Sequence, residues 1–252
     1  MRNRYKPSRI PSKVLRFRVT GLRVEGIVFD LDATLVNLGG FVNWRAAQRQ
    51  VAEAYLACGC SEDAVKRCGE RGLFDMLNLM EEELQLTRPQ HEVKHIQGKA
   101  YDIIEACETQ GVDQCQLMPS CVEALEWLRE HGFKIGIATS NSQEVTERIL
   151  ELRGLGSFFS AVVGRTPELR MKPHPDQILA CFKMLGVDPR RGIVVGDSVR
   201  DVKAAKAADI YVVAVPARFT SRETLEQAGA DSIIGSLGEL PSVLSSLCLE
   251  DR

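Results

Sequence analysis

Short apolar runs alternate with segments of helical spacing from Met118 onward. Apart from Lys134 and Ser232, the apolar runs contain no polar residue, which is typical of strands buried on both faces. They are predicted at 133–138, 161–163, 193–195, 211–215 and 232–234. The intervening segments place apolar residues three and four apart and are predicted to be helices at 121–131, 142–152, 175–185, 199–208 and 221–228, with a last helix at the C-terminus. This order predicts an α/β fold, a three-layer Rossmann-like parallel sheet covered by helices on both faces.

The chain before Met118 has a different pattern. One apolar strand opens it, in the stretch VEGIVFDLDATLV at 24–36. Helical spacing then continues through 43–57, 61–86 and 90–110 with no convincing strand. We therefore expect a helical cap at 38–115, inserted after the first strand of a core formed by residues 21–37 and 116–252.

Composition narrows the function classes. The 252 residues are 44% hydrophobic and 26% charged, and the net charge is −2. This balance argues against a nucleic-acid or membrane-surface role for the whole molecule, and no apolar run approaches the roughly 20 residues of a membrane span. The first 18 residues hold seven basic residues and no acid. Residues 1–20 are predicted to be a basic, disordered tail, with an organelle transit peptide as the alternative.

The eight cysteines are scattered without a CxxC pair. They are interpreted as reduced thiols that serve packing, which favours a cytoplasmic protein. Cys58 and Cys60 are the only close pair, and a structural role is favoured over a redox role. A monomer or a homodimer is expected.

Two carboxylates interrupt the opening strand. Asp30 and Asp32 are two residues apart, so alternation along a strand places them on the same side. Their mutual repulsion and desolvation require a compensating cation or a bound proton. Asp197 follows the predicted strand 193–195, and the three aspartates form an all-oxygen ligand set of the kind that Mg²⁺ prefers.

Other polar residues also follow predicted strands. Thr139 and Ser140 are expected at the start of a helix, where free backbone N–H groups suit a phosphate, with Gln143 as a capping-box partner of Ser140. Lys172 lies on a turn between Met171 and Pro173 and adds a positive charge for the same anion.

Four motifs in order resemble the haloacid dehalogenase superfamily of phosphohydrolases. They are FDLDATL, IATSN, KPHPD and GDSVRD. The resemblance covers the chain after about residue 24, and the predicted cap lies where the phosphoglycolate phosphatase-like members with a helical (C1-type) cap carry theirs. It implies a Mg²⁺-dependent phosphatase acting on a small phosphomonoester, phosphoglycolate being the most specific expectation.

The resemblance also implies roles for the motif residues. Asp30 would be the nucleophile that forms an aspartyl-phosphate. Asp32 would act as general acid and base while its backbone carbonyl binds the metal. Asp197 would be a metal ligand, and Asp201 would support the metal shell. Thr139 and Lys172 would be ligands of the transferring phosphoryl group.

Alternatives within and outside this family stay open. An acid at position 32 argues against haloacid dehalogenation and phosphonate hydrolysis, but a β-phosphoglucomutase-like sugar-phosphate mutase would keep all four motifs. A response-regulator receiver would lack the cap, and a catalytically silent binding module would have lost a motif residue. Ala33 stands where the family pattern usually has glycine, which is not expected to inactivate the site.

A candidate zinc motif and two arginines of the predicted cap each have a simpler structural explanation. The segment His91-Glu92-Val93-Lys94-His95 fits the HExxH zinc pattern, but Lys94 separates the histidines, and a solvated helix face is favoured. Arg45 and Arg49 could contact the leaving group of a substrate, although a solvated helix face is again favoured.

Overall fold

The computed structural model describes residues 17–19, 22–217 and 220–247. Six parallel strands form the main sheet, and two short antiparallel strands precede it. In chain order the strands are β1 (Phe17–Val19), β2 (Leu22–Val24), β3 (Gly26–Phe29), β4 (Lys134–Ser142), β5 (Ala161–Arg165), β6 (Gly192–Gly196), β7 (Tyr211–Ala214) and β8 (Ser232–Ile233). The sheet order is β5-β4-β3-β6-β7-β8.

Ten α-helices accompany the strands in the described part of the chain. They are α1 (Trp44–Ala57), α2 (Glu62–Gly69), α3 (Leu73–Gln85), α4 (Gln90–Thr109), α5 (Cys121–Glu130), α6 (Gln143–Leu152), α7 (Asp176–Leu185), α8 (Val199–Ala207), α9 (Arg222–Ala228) and α10 (Leu240–Ser246). We call α1 to α4 the helical insertion, because they lie in the chain between β3 and β4 and pack on one another. The limits 38–115 for a separate cap stay a prediction.

Alternation along the central strand explains why helices cover both faces of the sheet. Ile27 and Phe29 are fully buried in one hydrophobic cluster, and Val28 between them is fully buried in the other. A strand with apolar residues toward both sides needs a packed layer on each. The predicted three-layer α/β fold is confirmed.

The structure divides one predicted helical stretch and contradicts one predicted helix cap. The predicted helical stretch at 61–86 consists of two helices. The helix is interrupted before Leu73, where Gly72 has a φ of +92°, a conformation that glycine adopts readily. Strand β4 continues to Ser142, whose hydroxyl accepts a hydrogen bond from Val145 N (3.1 Å) and caps α6. Ser142 therefore takes the capping role predicted for Ser140 with Gln143.

The predicted basic tail at 1–20 lies mostly outside the described residues. Its described part, Phe17–Val19, is a strand paired with Leu22–Val24 and not disordered. No helix in the described residues is long and apolar enough to cross a membrane. The described cysteines are free thiols, and five of them are buried.

Candidate active site

A cavity of about 740 Å³ opens at the carboxyl ends of β3, β4 and β6, on the side of the helical insertion. Open parallel sheets bind ligands at this edge. The cavity is lined by all the residues that the sequence analysis singled out for catalysis, phosphate binding and metal binding: Asp30, Asp32, Thr139, Ser140, Lys172, Asp197 and Asp201.

Lys172 joins two of the aspartates. Its Nζ lies 2.5 Å from Asp30 Oδ1, 2.5 Å from Asp201 Oδ1 and 3.1 Å from Ala138 O. All three charged side chains are almost fully buried. Burial alone would lower the pKa of Lys172, but the two carboxylates raise it overall, so the ammonium form is favoured. The lysine thus fixes the carboxylate of Asp30 at the floor of the cavity.

Three aspartates form an acidic cluster around this lysine. Carboxylate oxygens of Asp30, Asp197 and Asp201 lie within 4.8 Å of one another. Burial and its acidic neighbours raise the pKa of Asp197 well above its usual value, and burial raises that of Asp30. Burial would also raise the pKa of Asp201, but Lys172 lowers it overall. When ionised, three carboxylates and one ammonium leave a net charge of −2 that a divalent cation would balance, so this all-oxygen set fits Mg²⁺.

Asp32 is held apart from this cluster. Its Oδ1 accepts a hydrogen bond from Gly39 N (2.8 Å), in the short turn between β3 and α1. Burial raises the pKa of Asp32 to about 6, although the Gly39 bond opposes the shift. A carboxyl group with this pKa can give and take a proton near neutral pH.

The turn that presents Asp32 explains the family preference for glycine at the next position. Ala33 has a φ of +61°, in the left-handed region. A side chain there costs roughly 1–2 kcal/mol in backbone energy. This backbone strain is therefore located at a residue that lines the cavity.

Thr139 and Ser140 lie near the end of β4 rather than at the start of a helix. The Thr139 hydroxyl donates to Asn141 Oδ1 (3.0 Å) and accepts from Asn141 N (3.2 Å). Asn141 also lines the cavity and was not singled out by the sequence analysis.

The fourth motif forms the start of α8. Ser198 N donates to Asp201 Oδ2 (3.0 Å), and Asp201 N donates to Ser198 Oγ (3.3 Å), which is a capping box. Gly196 lets this turn pack closely, because a Cβ there would lie 2.5 Å from Asp201 Cβ. The cap fixes the second carboxylate oxygen of Asp201, and Lys172 holds the first.

The roof of the cavity comes partly from the helical insertion. Trp44 Nε1 donates to Gly39 O (3.1 Å), and its ring lies 5.4 Å from that of Phe74. The guanidinium of Arg200, from the core, lies 4.8 Å from the Phe74 ring centroid. Sequence reasoning missed Phe74 and Arg200; for Arg200 the available signal was its place inside the motif GDSVRD.

Of the two arginines and two histidines considered in the sequence analysis, only one arginine lines the cavity. Arg45 lines the cavity, and Arg49, one turn further along α1, does not. His91 and His95 lie exposed on α4, as expected for a solvated helix face. Within the described residues, they are not part of the acidic cluster.

Comparison with known proteins places this geometry in a family. The model of the haloacid dehalogenase-like hydrolases matches residues 27–215, more than half of the chain. A phosphoglycolate phosphatase of Nitrosococcus oceani is 31% identical over 129 residues, covering 51% of this chain and 57% of that protein. The chain thus spans little more than half the length of this relative.

Two other relatives align over nearly their full length. The pyrophosphatase PpaX of Bacillus pumilus is 24% identical over 227 residues, covering 88% of this chain and 97% of that protein. A crystal structure from Thermotoga maritima, named as a candidate beta-phosphoglucomutase, has a TM-score of 0.59 and 25% identity, covering 88% of this chain and 99% of that one.

The family match and the resemblance drawn from the four motifs agree, so the prediction of an enzyme of this family is confirmed. This chain belongs to the haloacid dehalogenase-like hydrolase family.

Proposed function

We propose that this protein is a Mg²⁺-dependent phosphatase that hydrolyses a small phosphomonoester through an aspartyl-phosphate on Asp30. The observation that carries the proposal is the convergence of Asp30, Asp32, Thr139, Lys172 and Asp197 in one cavity. A phosphoryl group placed there would meet a nucleophile, a proton donor and positive charge together. Phosphoryl transfer depends on positioning and charge neutralisation of this kind.

The first step transfers the phosphoryl group to the protein. Asp30 attacks phosphorus, so a bond forms to its carboxylate oxygen and the bond to the leaving oxygen breaks. Asp32 gives its proton to the leaving oxygen, which departs as an alcohol. Lys172 and Thr139 would hold the phosphoryl oxygens during the transfer.

The second step releases phosphate. Asp32, now ionised, takes a proton from a water molecule that attacks phosphorus, and the bond to Asp30 breaks. Asp30, Asp197 and the backbone carbonyl of Asp32 would hold Mg²⁺, with Asp201 in support. The metal, when bound, would neutralise charge on these carboxylates and on the phosphoryl oxygens.

The cavity wall supports a substrate with an anionic leaving group. Arg45 and Arg200 both line the cavity, and neither has an ion-pair partner among the described residues. The Arg200 Nε is buried without a hydrogen-bond partner in the structure. Phosphoglycolate carries a carboxylate and pyrophosphate a second phosphate, and relatives are named for both. Phosphoglycolate is the proposed substrate, because it is a phosphomonoester and pyrophosphate is not.

A substrate panel tests this proposal. Phosphate release would be measured on phosphorylated metabolites that include phosphoglycolate and pyrophosphate, with Asp30→Asn as the inactive control. Arg45→Gln should raise KM for a substrate with an anionic leaving group and leave KM for an aryl phosphate with an uncharged leaving group unchanged. Arg49→Gln is the matched control and should change neither. No phosphate release from any substrate by the wild-type protein would contradict the proposal.

The mutase is the second candidate, because the Thermotoga maritima structure shares the fold. The two functions differ in the fate of the phosphoryl group. β-Glucose 1-phosphate with a bisphosphate activator should yield free phosphate or no reaction. Robust formation of glucose 6-phosphate in a coupled dehydrogenase assay would favour the mutase.

A further inference from the structure

A fully buried ion pair joins the helical insertion to the core. Glu108 lies near the end of α4, and Arg165 ends β5. Arg165 NH1 donates to Glu108 Oε1 (3.1 Å) and NH2 donates to Oε2 (3.0 Å). Both side chains are 0% exposed. No other ion pair between described residues has both of its side chains fully shielded from solvent.

The same two side chains hold the segment that follows Thr139. Glu108 Oε1 accepts from Asn141 Nδ2 (2.9 Å), and Oε2 accepts from Ser142 N (3.2 Å). Arg165 NH1 also donates to Ser140 O (2.7 Å). Three consecutive residues, of which Ser140 and Asn141 line the cavity, are therefore tied to one ion pair.

The helical insertion is tied to the pair from its own side. Arg165 NH2 lies 3.4 Å from Tyr101 O, and its guanidinium lies 5.3 Å from the Tyr101 ring centroid. Tyr101 and Glu108 lie on the same helix, α4. Movement of α4 against the core would therefore break the bonds that Glu108 makes to Asn141, Ser142 and Arg165.

Stability alone does not account for such a pair. Apolar residues of similar volume often replace a buried ion pair with equal or greater stability, whereas loss of one partner leaves a costly buried charge. What apolar residues cannot supply is the set of bonds to Ser140, Asn141 and Ser142.

We propose that Glu108 and Arg165 are positioning residues that hold residues 139–142 in the geometry needed to bind the phosphoryl group, and that they couple this geometry to the seating of the helical insertion. The proposal rests on the proposed phosphatase function, since it assigns the phosphate to Thr139 and Ser140. The pair touches the segment rather than the substrate.

A comparison of single and double variants tests it. Glu108→Met and Arg165→Met should each destabilise the fold by leaving a buried charge, and the double variant should be more stable than either single variant. Its unfolding midpoint should stay below that of wild type, because Ser140, Asn141 and Ser142 lose their partners. The inhibition constant for inorganic phosphate should nevertheless stay raised by about 10- to 100-fold in the double variant, since small misplacements in a site have effects of this size. KM should rise with it.

The control removes a partly exposed ion pair at the amino ends of the central strands, away from the cavity. Glu25 and Arg191 precede β3 and β6 and form a pair with a 2.5 Å contact. The double variant with Met at both positions should keep the wild-type inhibition constant. If the Glu108/Arg165 double variant folds stably and binds phosphate as wild type does, the pair is only structural and the proposal is wrong.

Two further measurements keep the outcomes distinct. If the double variant does not fold, Arg165→Lys serves instead, because it keeps the charge but has one donor group for several acceptors, and an unchanged inhibition constant there would overturn the proposal. Hydrogen exchange of the 134–145 segment needs no activity. Faster exchange at Ser142 in the double variant would support the positioning role. Absence of turnover by the wild-type protein would refute only the phosphatase function and leave this result standing. Unchanged exchange refutes the positioning role.

Discussion

Asp30 and Asp32 are two residues apart, yet their surroundings differ. Lys172 contacts Asp30, whereas Asp32 accepts a hydrogen bond from Gly39 in the turn that leads to α1. Burial raises the pKa of Asp30, but the Lys172 ammonium opposes this shift and favours the ionised form that a nucleophile needs. A half-buried carboxyl with a pKa of about 6 suits proton transfer.

Asp32→Asn separates these two roles. The backbone carbonyl is unchanged, so metal binding should persist, but proton transfer to the leaving oxygen is lost. We expect activity on an alkyl phosphate to fall by about 10²–10⁴-fold, and activity on an aryl ester with a good leaving group to fall less. Steady-state kinetics on both esters measure the difference. Equal losses on the two would exclude Asp32 as the acid.

Gly39→Ala tests how closely Asp32 must be held. A Cβ at position 39 would lie 2.5 Å from Asp32 Oδ2, so the carboxyl group would have to move. We expect kcat on an alkyl phosphate to fall by about 10-fold or more with the unfolding midpoint little changed. Gly40→Ala is the control, because a Cβ there meets no atom within 4 Å. Equal activities of the two variants would contradict this account.

At the scale of elements, helix starts hold several of the site and flanking residues. Asp201 lies in the first turn of α8 and closes its capping box, and Asp176 opens α7 just after the turn that carries Lys172. Asp176 also receives a bidentate contact from Arg170, with Nε 2.8 Å from Oδ2 and NH2 2.9 Å from Oδ1. The contact ties the two ends of the Lys172 turn together.

The pair predicts a pH-dependent contribution to stability. The hydrogen bond from Arg170 lowers the pKa of Asp176 below its ordinary value of 3.8. A lowered carboxyl pKa stabilises the fold above that ordinary value, and this stabilisation is lost as pH falls through the folded pKa. Asp176→Asn should lower the free energy of unfolding by no more than about 1 kcal/mol at neutral pH, because the pair is partly exposed.

Denaturant unfolding at a series of pH values measures this effect. The difference between wild type and Asp176→Asn should shrink as pH falls below about 4. Glu123→Gln is a control, since Glu123 is an exposed acid in the first turn of α5 without an ion pair among the described residues. A difference for Asp176→Asn that grows toward acid pH would refute the assignment.

At the scale of the whole molecule, the helical insertion contacts residues of several motifs. Phe74 packs on Arg200, Asn78 Nδ2 donates to Lys172 O (3.2 Å), and Glu108 bonds Asn141. The core supplies the carboxylates and the lysine, and the insertion closes the cavity over them. The burial of Asp30, Lys172 and Asp201 strengthens their electrostatic interactions with a bound phosphoryl group.

The net negative charge of the cavity floor predicts metal dependence. Phosphate release should require Mg²⁺ and should stop in EDTA. Excess Ca²⁺ should inhibit, because its larger and looser coordination shell replaces the octahedral geometry of Mg²⁺. Assays in metal-free buffer with each ion added back check this. Undiminished turnover in EDTA would contradict the assignment.

The sequence by itself determined the fold class and the residues of the cavity floor. Continuous apolar strands between amphipathic helices can be buried only as a parallel sheet with helices on both faces, and the polar residues that follow those strands must then meet at one edge. Asp30, Thr139 and Asp197 could be placed there for this reason, since each follows a predicted apolar strand.

Only the tertiary structure decided how those residues are held. Lys172 Nζ reaches Asp30 across 142 positions of sequence, and Arg165 reaches Glu108 across 57. Local periodicity reports which face of an element is apolar, but it does not report which distant polar group completes a buried charge. That choice depends on how the loops of the core and the helical insertion pack on the sheet, since a buried charged group needs a partner there.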